Sequence, residues 1–114
     1  MKISKLTGEH YIWGTNCDGW HLVKHEDLSV IHERMPPSTK EVRHYHNRSR
    51  QFFFVLSGTA TIEVNGQEFE LTGLEGIEVP PLTPHQVFNQ SAEAVEFLVI
   101  SQPTTKEDRV TVQE

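Results

Sequence analysis

The chain has 114 residues and a mass of 13.1 kDa, with 36% hydrophobic and 9% aromatic residues. That size suits one domain around one core and excludes a two-domain enzyme. Ten Lys and Arg stand against sixteen Asp and Glu, for a formal net charge of −6, so neither nucleic acid nor an anionic membrane surface is an expected partner.

The opening MKISKLTGEH has no apolar stretch of the secretory kind, and no run approaches the roughly 18–20 apolar residues that cross a bilayer. Cys17 is the single cysteine, which rules out an internal disulfide framework and suits a reducing compartment. A cytoplasmic location is expected. Around Cys17 runs Trp13-Gly14-Thr15-Asn16-Cys17-Asp18-Gly19-Trp20. Packing is the expected role of this segment, with a pocket lining as the alternative, and no neighbouring residue activates the thiol as a nucleophile.

From there the chain reads as strands. Period-2 alternation predicts them over 20–25, 28–34, 41–46, 51–56, 59–64, 67–71, 76–79, 85–89 and 95–101, cut by Gly, Pro and Asn. Asn65-Gly66 is the pair that best tolerates a type I′ hairpin turn. The apolar blocks Phe52-Phe53-Phe54-Val55-Leu56 and Phe97-Leu98-Val99-Ile100 read as central strands. Short strands between turn signals predict an all-β sandwich or barrel. Residues from Gln102 onward are mostly polar and are expected to fray or to pair with a second subunit.

Charge is unevenly spread. Residues 1–50 carry eight basic and six acidic side chains, whereas residues 51–105 carry seven Glu and no Lys or Arg. Four of the five Arg, at positions 34, 43, 48 and 50, fall within 17 residues. Arg48 and Arg50 are either solvated loop cations or contacts for an anionic substrate.

The histidines carry the chemistry. In His44-Tyr45-His46, strand alternation turns both imidazoles to one side and Tyr45 to the other, a two-point metal grip. Gln51, five residues on, can swing across the turn toward the same centre. His85 follows the stiff stretch Pro80-Pro81-Leu82-Thr83-Pro84, and His85, Val87 and Asn89 share one strand face. Asn89 reads as a hydrogen-bonding support rather than a ligand. Strand parity turns Phe53, Val55, Val87, Phe97 and Val99 inward, as core or as the apolar wall of a pocket. His10, His21, His25 and His32 fit no ligand spacing and read as surface or ordinary core residues.

In this order the residues resemble the cupin superfamily, specifically small single-domain cupins. The family's first motif runs His-x-His, three or four residues, Glu, six residues, Gly; here it reads His44-x-His46, four residues, Gln51, six residues, Gly58. The second motif runs Gly, a spacer, then Pro-x-Gly-x-x-His-x-x-x-Asn. Here Gly76, Pro80, His85 and Asn89 match, with Leu82 where the Gly stands. The resemblance extends over residues 20–103, with 1–19 as an N-terminal arm and 104–114 as a tail. It implies an all-β jelly-roll barrel holding a divalent transition metal (Fe, Mn, Ni, Zn or Cu) on His44, His46, Gln51 and His85. It also implies pairing into a homodimer.

Gln51 replaces the family's usual Glu, so the ligand set is neutral. Weaker metal retention and a stronger Lewis acid are expected. The same replacement occurs in cupins that linearise unsaturated uronates, but their acidic residue on the last core strand is missing from Phe97-Leu98-Val99-Ile100-Ser101. A metal-dependent enzyme of dioxygenase or isomerase/lyase type, acting on a small oxygenated carbon compound or sugar acid, is the expectation. A non-catalytic ligand-binding or sensor module is the alternative. Glu41, Glu33 and Tyr45 qualify as proton-transfer groups only if the fold turns them inward.

Overall fold

A computed structural model describes residues 1–113. Twelve strands form two sheets. In chain order they are β1 (Glu9–Trp13), β2 (Cys17–Lys24), β3 (Ser29–Met35), β4 (Thr39–Lys40), β5 (His44–His46) and β6 (Arg50–Ser57). Then come β7 (Ala60–Val64), β8 (Gln67–Leu71), β9 (Gly76–Val79), β10 (His85–Asn89), β11 (Val95–Gln102) and β12 (Arg109–Thr111). The first sheet has the order β1-β2-β3-β11-β6-β9 and the second β12-β5-β10-β7-β8, with β4 beside β10. All pairings are antiparallel, as in the all-β jelly roll that the family resemblance implies.

Alternation decides which side chains meet. On β11, Val95, Phe97, Val99 and Ser101 are buried while the residues between them are not. Phe53 and Val55 of β6, Ile62 of β7 and Val87 of β10 close on them from both sheets. The β7–β8 hairpin turns at Asn65 and Gly66, both at positive φ (52° and 92°), as a type I′ turn demands.

Two strands lie where none is expected. Residues 9–13 pair with β2 along its first half, and β2 itself starts at Cys17 rather than at residue 20. The tail does not fray. Its Arg109, Val110 and Thr111 pair with His46, Tyr45 and His44 of the same chain. The strand expected over 41–46 is shorter, because Glu41 leaves regular pairing to bond Val87 by both backbone and carboxylate. Leu82 keeps the turn of the second motif by adopting a left-handed backbone (φ 64°), and its N–H donates to the His46 carbonyl at 2.7 Å.

One buried carboxylate anchors the loop between β5 and β6. Asp108, 2% exposed, accepts N–H bonds from Asn47 (3.2 Å), Arg48 (3.0 Å) and Ser49 (2.9 Å). Burial alone would raise its pKa; the Ser49 and Arg48 N–H groups and the Arg48 charge outweigh this and hold it below the usual carboxylate range. Ser49 adds a second tie, donating its hydroxyl to the Pro103 carbonyl at 2.6 Å.

Asp108→Ala leaves the Arg48 and Ser49 N–H groups without their acceptor and Asn47 with the residue-108 carbonyl alone, and should cost about 2–3 kcal/mol of stability in chemical denaturation. A carboxyl whose pKa is depressed by folding stabilises fully above its ordinary pKa and stops doing so as pH falls through the lowered value. The gap between parent and variant should therefore be full at neutral pH and close in acid. A gap that does not change with pH would contradict the assignment.

Candidate metal centre and its pocket

The two sheets bring the metal candidates together from opposite sides. His44 of β5 lies directly opposite His85 of β10, and His46 stands two residues along β5 on the same face. Their ring centroids are 4.5 Å (44 to 85), 4.9 Å (44 to 46) and 5.7 Å (46 to 85) apart. One ligand atom from each of the three lies within 4.8 Å of the others, and all three are buried. Gln51 enters from β6 in the facing sheet and is also buried.

Backbone carbonyls set the ring orientations. His44 Nδ1 donates to the Val42 carbonyl at 2.7 Å and His85 Nδ1 to the Thr83 carbonyl at 2.9 Å. A carbonyl only accepts, so these rings carry their proton on Nδ1 and keep the lone pair on Nε2. Gln51 Nε2 donates to the Ser101 hydroxyl at 3.1 Å, which leaves Oε1 as its free acceptor. His85 Nε2, both His46 nitrogens and Gln51 Oε1 are enclosed with no hydrogen-bond partner among the described residues. Buried polar atoms are seldom left this way. A cation would satisfy the lone pairs together, and the imidazole and carboxamide donors suit a transition metal.

Electrostatics favour the same use. Burial, followed by the neighbouring charges of His85 and Arg109, brings His44 down to about 3 and His46 to about 4. His85 is lowered, first by burial and then by Arg109. All three are neutral near pH 7, the form that ligates metal.

Around these groups lies a cavity of about 200 Å³. Phe53 and Val99 line it, as parity predicts, together with Ile31 and Trp13. Glu33 of β3 and Glu41 both turn into it, whereas Tyr45 does not. Burial raises Glu33 to about 7, against the opposing hydrogen bond from Tyr11 and the charge of Arg109. Glu41 is raised to about 8 by burial and then by Glu33, again against Arg109.

Tyr11 reaches Glu33 across an intervening strand. Tyr11 pairs with Gly19, and Gly19 with Glu33, so the three sit in one row over β1, β2 and β3. The Tyr11 hydroxyl donates to Glu33 at 3.2 Å. A Cβ on Gly19 would lie 2.3 Å from a Tyr11 ring carbon; only glycine lets the ring lie flat over β2. Burial, followed by the Glu33 charge, raises the Tyr11 pKa and keeps its proton in place.

Other expected site residues lie elsewhere. Asn89 is at the far end of β10 from His85, where its side chain donates to the Met35 and Glu93 carbonyls and accepts from Ser91. It staples two loops rather than supporting the imidazoles. Val55, Val87 and Phe97 pack below the pocket as core. Arg48 lies outside the pocket with its side chain 68% exposed, and Arg50 pairs with Glu78 on the outer surface. The loop between His46 and Gln51 points them away. The cation that lines the pocket is Arg109, which sequence reasoning missed together with Tyr11 and Thr105. The alternation Glu9-x-Tyr11-x-Trp13, aromatic at two successive inward positions, was the signal available for the first strand.

A family model for the cupin domain matches residues 31–101. The chain is 29% identical over 100 residues to oxidoreductase macE of Penicillium terrestre, a match that covers 83% of this chain and 38% of that protein. It spans no more than 66% of the length of the curated relatives it matches. The polyketide cyclase RemF from Streptomyces resistomycificus superposes with a TM-score of 0.86 at 15% identity, over 100% of this chain and 86% of that one. KdgF from Halomonas sp. gives 0.84 at 14% identity, over 94% and 96%. At these identities the two structures speak for the fold alone.

Gln51→Glu adds a negative charge to the donor set and should tighten metal binding by about tenfold or more, read by competition with a chelator. His85→Ala should bind less than one ion per chain. Equal affinity in the Gln51→Glu variant and the parent would remove Gln51 from the donor set.

Proposed function

The chain belongs to the cupin family, and within it we propose a metal-dependent enzyme that moves a proton within a small anionic, oxygenated carbon compound, in the manner of isomerases or lyases. The observation that carries this reading is the presence of two protonatable carboxyls, Glu33 and Glu41, in the same 200 Å³ cavity as His44, His46 and Gln51, with His85 beside them. A divalent transition metal on those four nitrogen and oxygen donors would supply Lewis-acid polarisation of a substrate carbonyl.

The remaining work belongs to the chain. Arg109 at the pocket wall offers a guanidinium to an anionic group of the substrate. Glu41 is the group proposed to take the proton. Its Oε1 is held by the Val87 N–H at 3.1 Å, which fixes the direction of the carboxyl. Both glutamates become more acidic beside a bound cation, which leaves a carboxylate available as base near neutral pH. Glu33, held by Tyr11, is the group proposed to return a proton, and Phe53, Ile31 and Val99 keep that side of the pocket apolar. The dioxygenase-type reading draws its support from the likeness to macE, an oxidoreductase by name.

The homodimer belongs to this proposal as well. Phe52, 38% exposed, stacks with Phe54 at 6.0 Å on the outer face of the first sheet, and sedimentation should give about twice the chain mass, whereas a monomer would remove it.

The test uses protein loaded with Fe, Mn, Ni, Zn or Cu in D₂O, with small hydroxy acids, keto acids and sugar acids as probes. Deuterium should enter at carbon beside the carbonyl without oxygen uptake, and Glu41→Gln should slow this by about 10²-fold or more with metal content unchanged. Oxygen consumption tied to substrate loss would favour the dioxygenase type. Tight binding without turnover in any metal form would favour the binding module.

A further inference from the structure

Beside the histidine pocket opens a larger cavity of about 600 Å³, and Ile31 and Thr105 belong to the walls of both. The end of β2, the start of β3 and the segment after β11 line it, and it opens to solvent at Lys24, His25 and Lys106. Four nitrogen-bearing side chains line it, His21, Lys24, His25 and Lys106, with the hydroxyls of Ser29, Thr104 and Thr105 between them. Among the described residues, Glu26 is the one acidic residue in the wall. In a chain of net charge −6, with no Lys or Arg over 51–105, such a grouping runs against the general composition.

These nitrogens are available. Among the described residues, Lys106 and His25 have no ion-pair partner. Lys24 pairs with Glu9 at 3.1 Å, but both side chains are more than half exposed, and such pairs are weak. His21 Nδ1 is enclosed and lacks a hydrogen-bond partner among the described residues. Its ring lies against Tyr11 at 5.0 Å, so the two rings stand side by side at the boundary of the two cavities. Size points the same way. The histidine pocket alone is below the roughly 300–1,000 Å³ usual for ligand sites, and with its neighbour it falls inside that range.

We propose that this second cavity is an oxyanion-binding antechamber, in which Lys24, Lys106, His21 and His25 hold a carboxylate or phosphate group. Resting on the reading of the histidine pocket as a substrate site, that group is the far end of a substrate whose reacting end lies among the histidines. The substrate class is then a compound with an anionic group at each end, one for the antechamber and one for Arg109. Charge-assisted hydrogen bonds from the two lysines supply the attraction, and the hydroxyls orient the oxygens.

The experiment titrates inorganic phosphate and, separately, malonate into metal-free protein while the imidazole resonances are followed by NMR. Saturable shifts should appear at His21 and His25 with at least one of the two anions, and the tighter one identifies the group. Lys24→Ala/Lys106→Ala, whose replaced side chains are exposed, should weaken binding by about tenfold or more. His85→Ala should leave it unchanged, so a failure of the metal reading is seen separately from a failure of the antechamber. No saturable shift at His21 and His25, shifts confined to His44, His46 and His85, or equal affinity in the double variant would each overturn the proposal.

Discussion

The Asp108 carboxylate gathers the N–H groups of residues 47–49, and the placement of the candidate donor set leans on that acceptor more than on any other contact of the loop. The loop it holds joins His46 to Gln51, one candidate ligand in each sheet. β5 has three residues, too few to hold its own direction, and it takes support from His85 on one side and from residues 109–111 on the other. An apolar residue at 108 would leave the Arg48 and Ser49 N–H groups unpaired and loosen the loop between the two candidate ligand positions. The barrel is thus closed at its histidine end by an electrostatic contact, while apolar packing of Val55, Phe97, Ile62 and Val87 closes the rest.

Within the pocket, burial acts on two kinds of titratable group in opposite senses. It disfavours charge on the imidazoles and on the carboxyls alike, so the histidines lose their protons more readily and the glutamates keep theirs. The result is a set of neutral imidazoles beside two carboxyls that titrate near neutral pH, with Arg109 at the same wall. A cation placed among them would meet uncharged lone pairs, while the guanidinium offers the opposite sign.

The sequence shows the candidate metal ligands more clearly than their surroundings. His44 and His46 are legible because strand alternation works over two residues, and His85 because prolines fix its approach. Glu33 and Glu41 are legible only as conditional candidates. Their inward turn depends on the parity of β3 and on the break in pairing at Glu41, and both are settled by partners far along the chain. Arg109 and Tyr11 are out of reach for a related reason. Each sits on a short terminal strand whose pairing is decided by a neighbour rather than by its own pattern. Asn89 misleads because sharing a face with His85 over four strand residues also means standing at the other end of that strand.

The closing role of β12 has a consequence for how the molecule is made. A ribosome delivers β5, β6 and β10 before residue 108, so all four candidate ligands exist while the loop at 47–49 still lacks its acceptor and β5 still lacks one neighbour. Nascent chains stopped before that point carry every candidate donor atom, with β5 held by β10 alone. The register of the candidate donors is therefore completed only once residues 108–111 are made, by residues that are not among those donors.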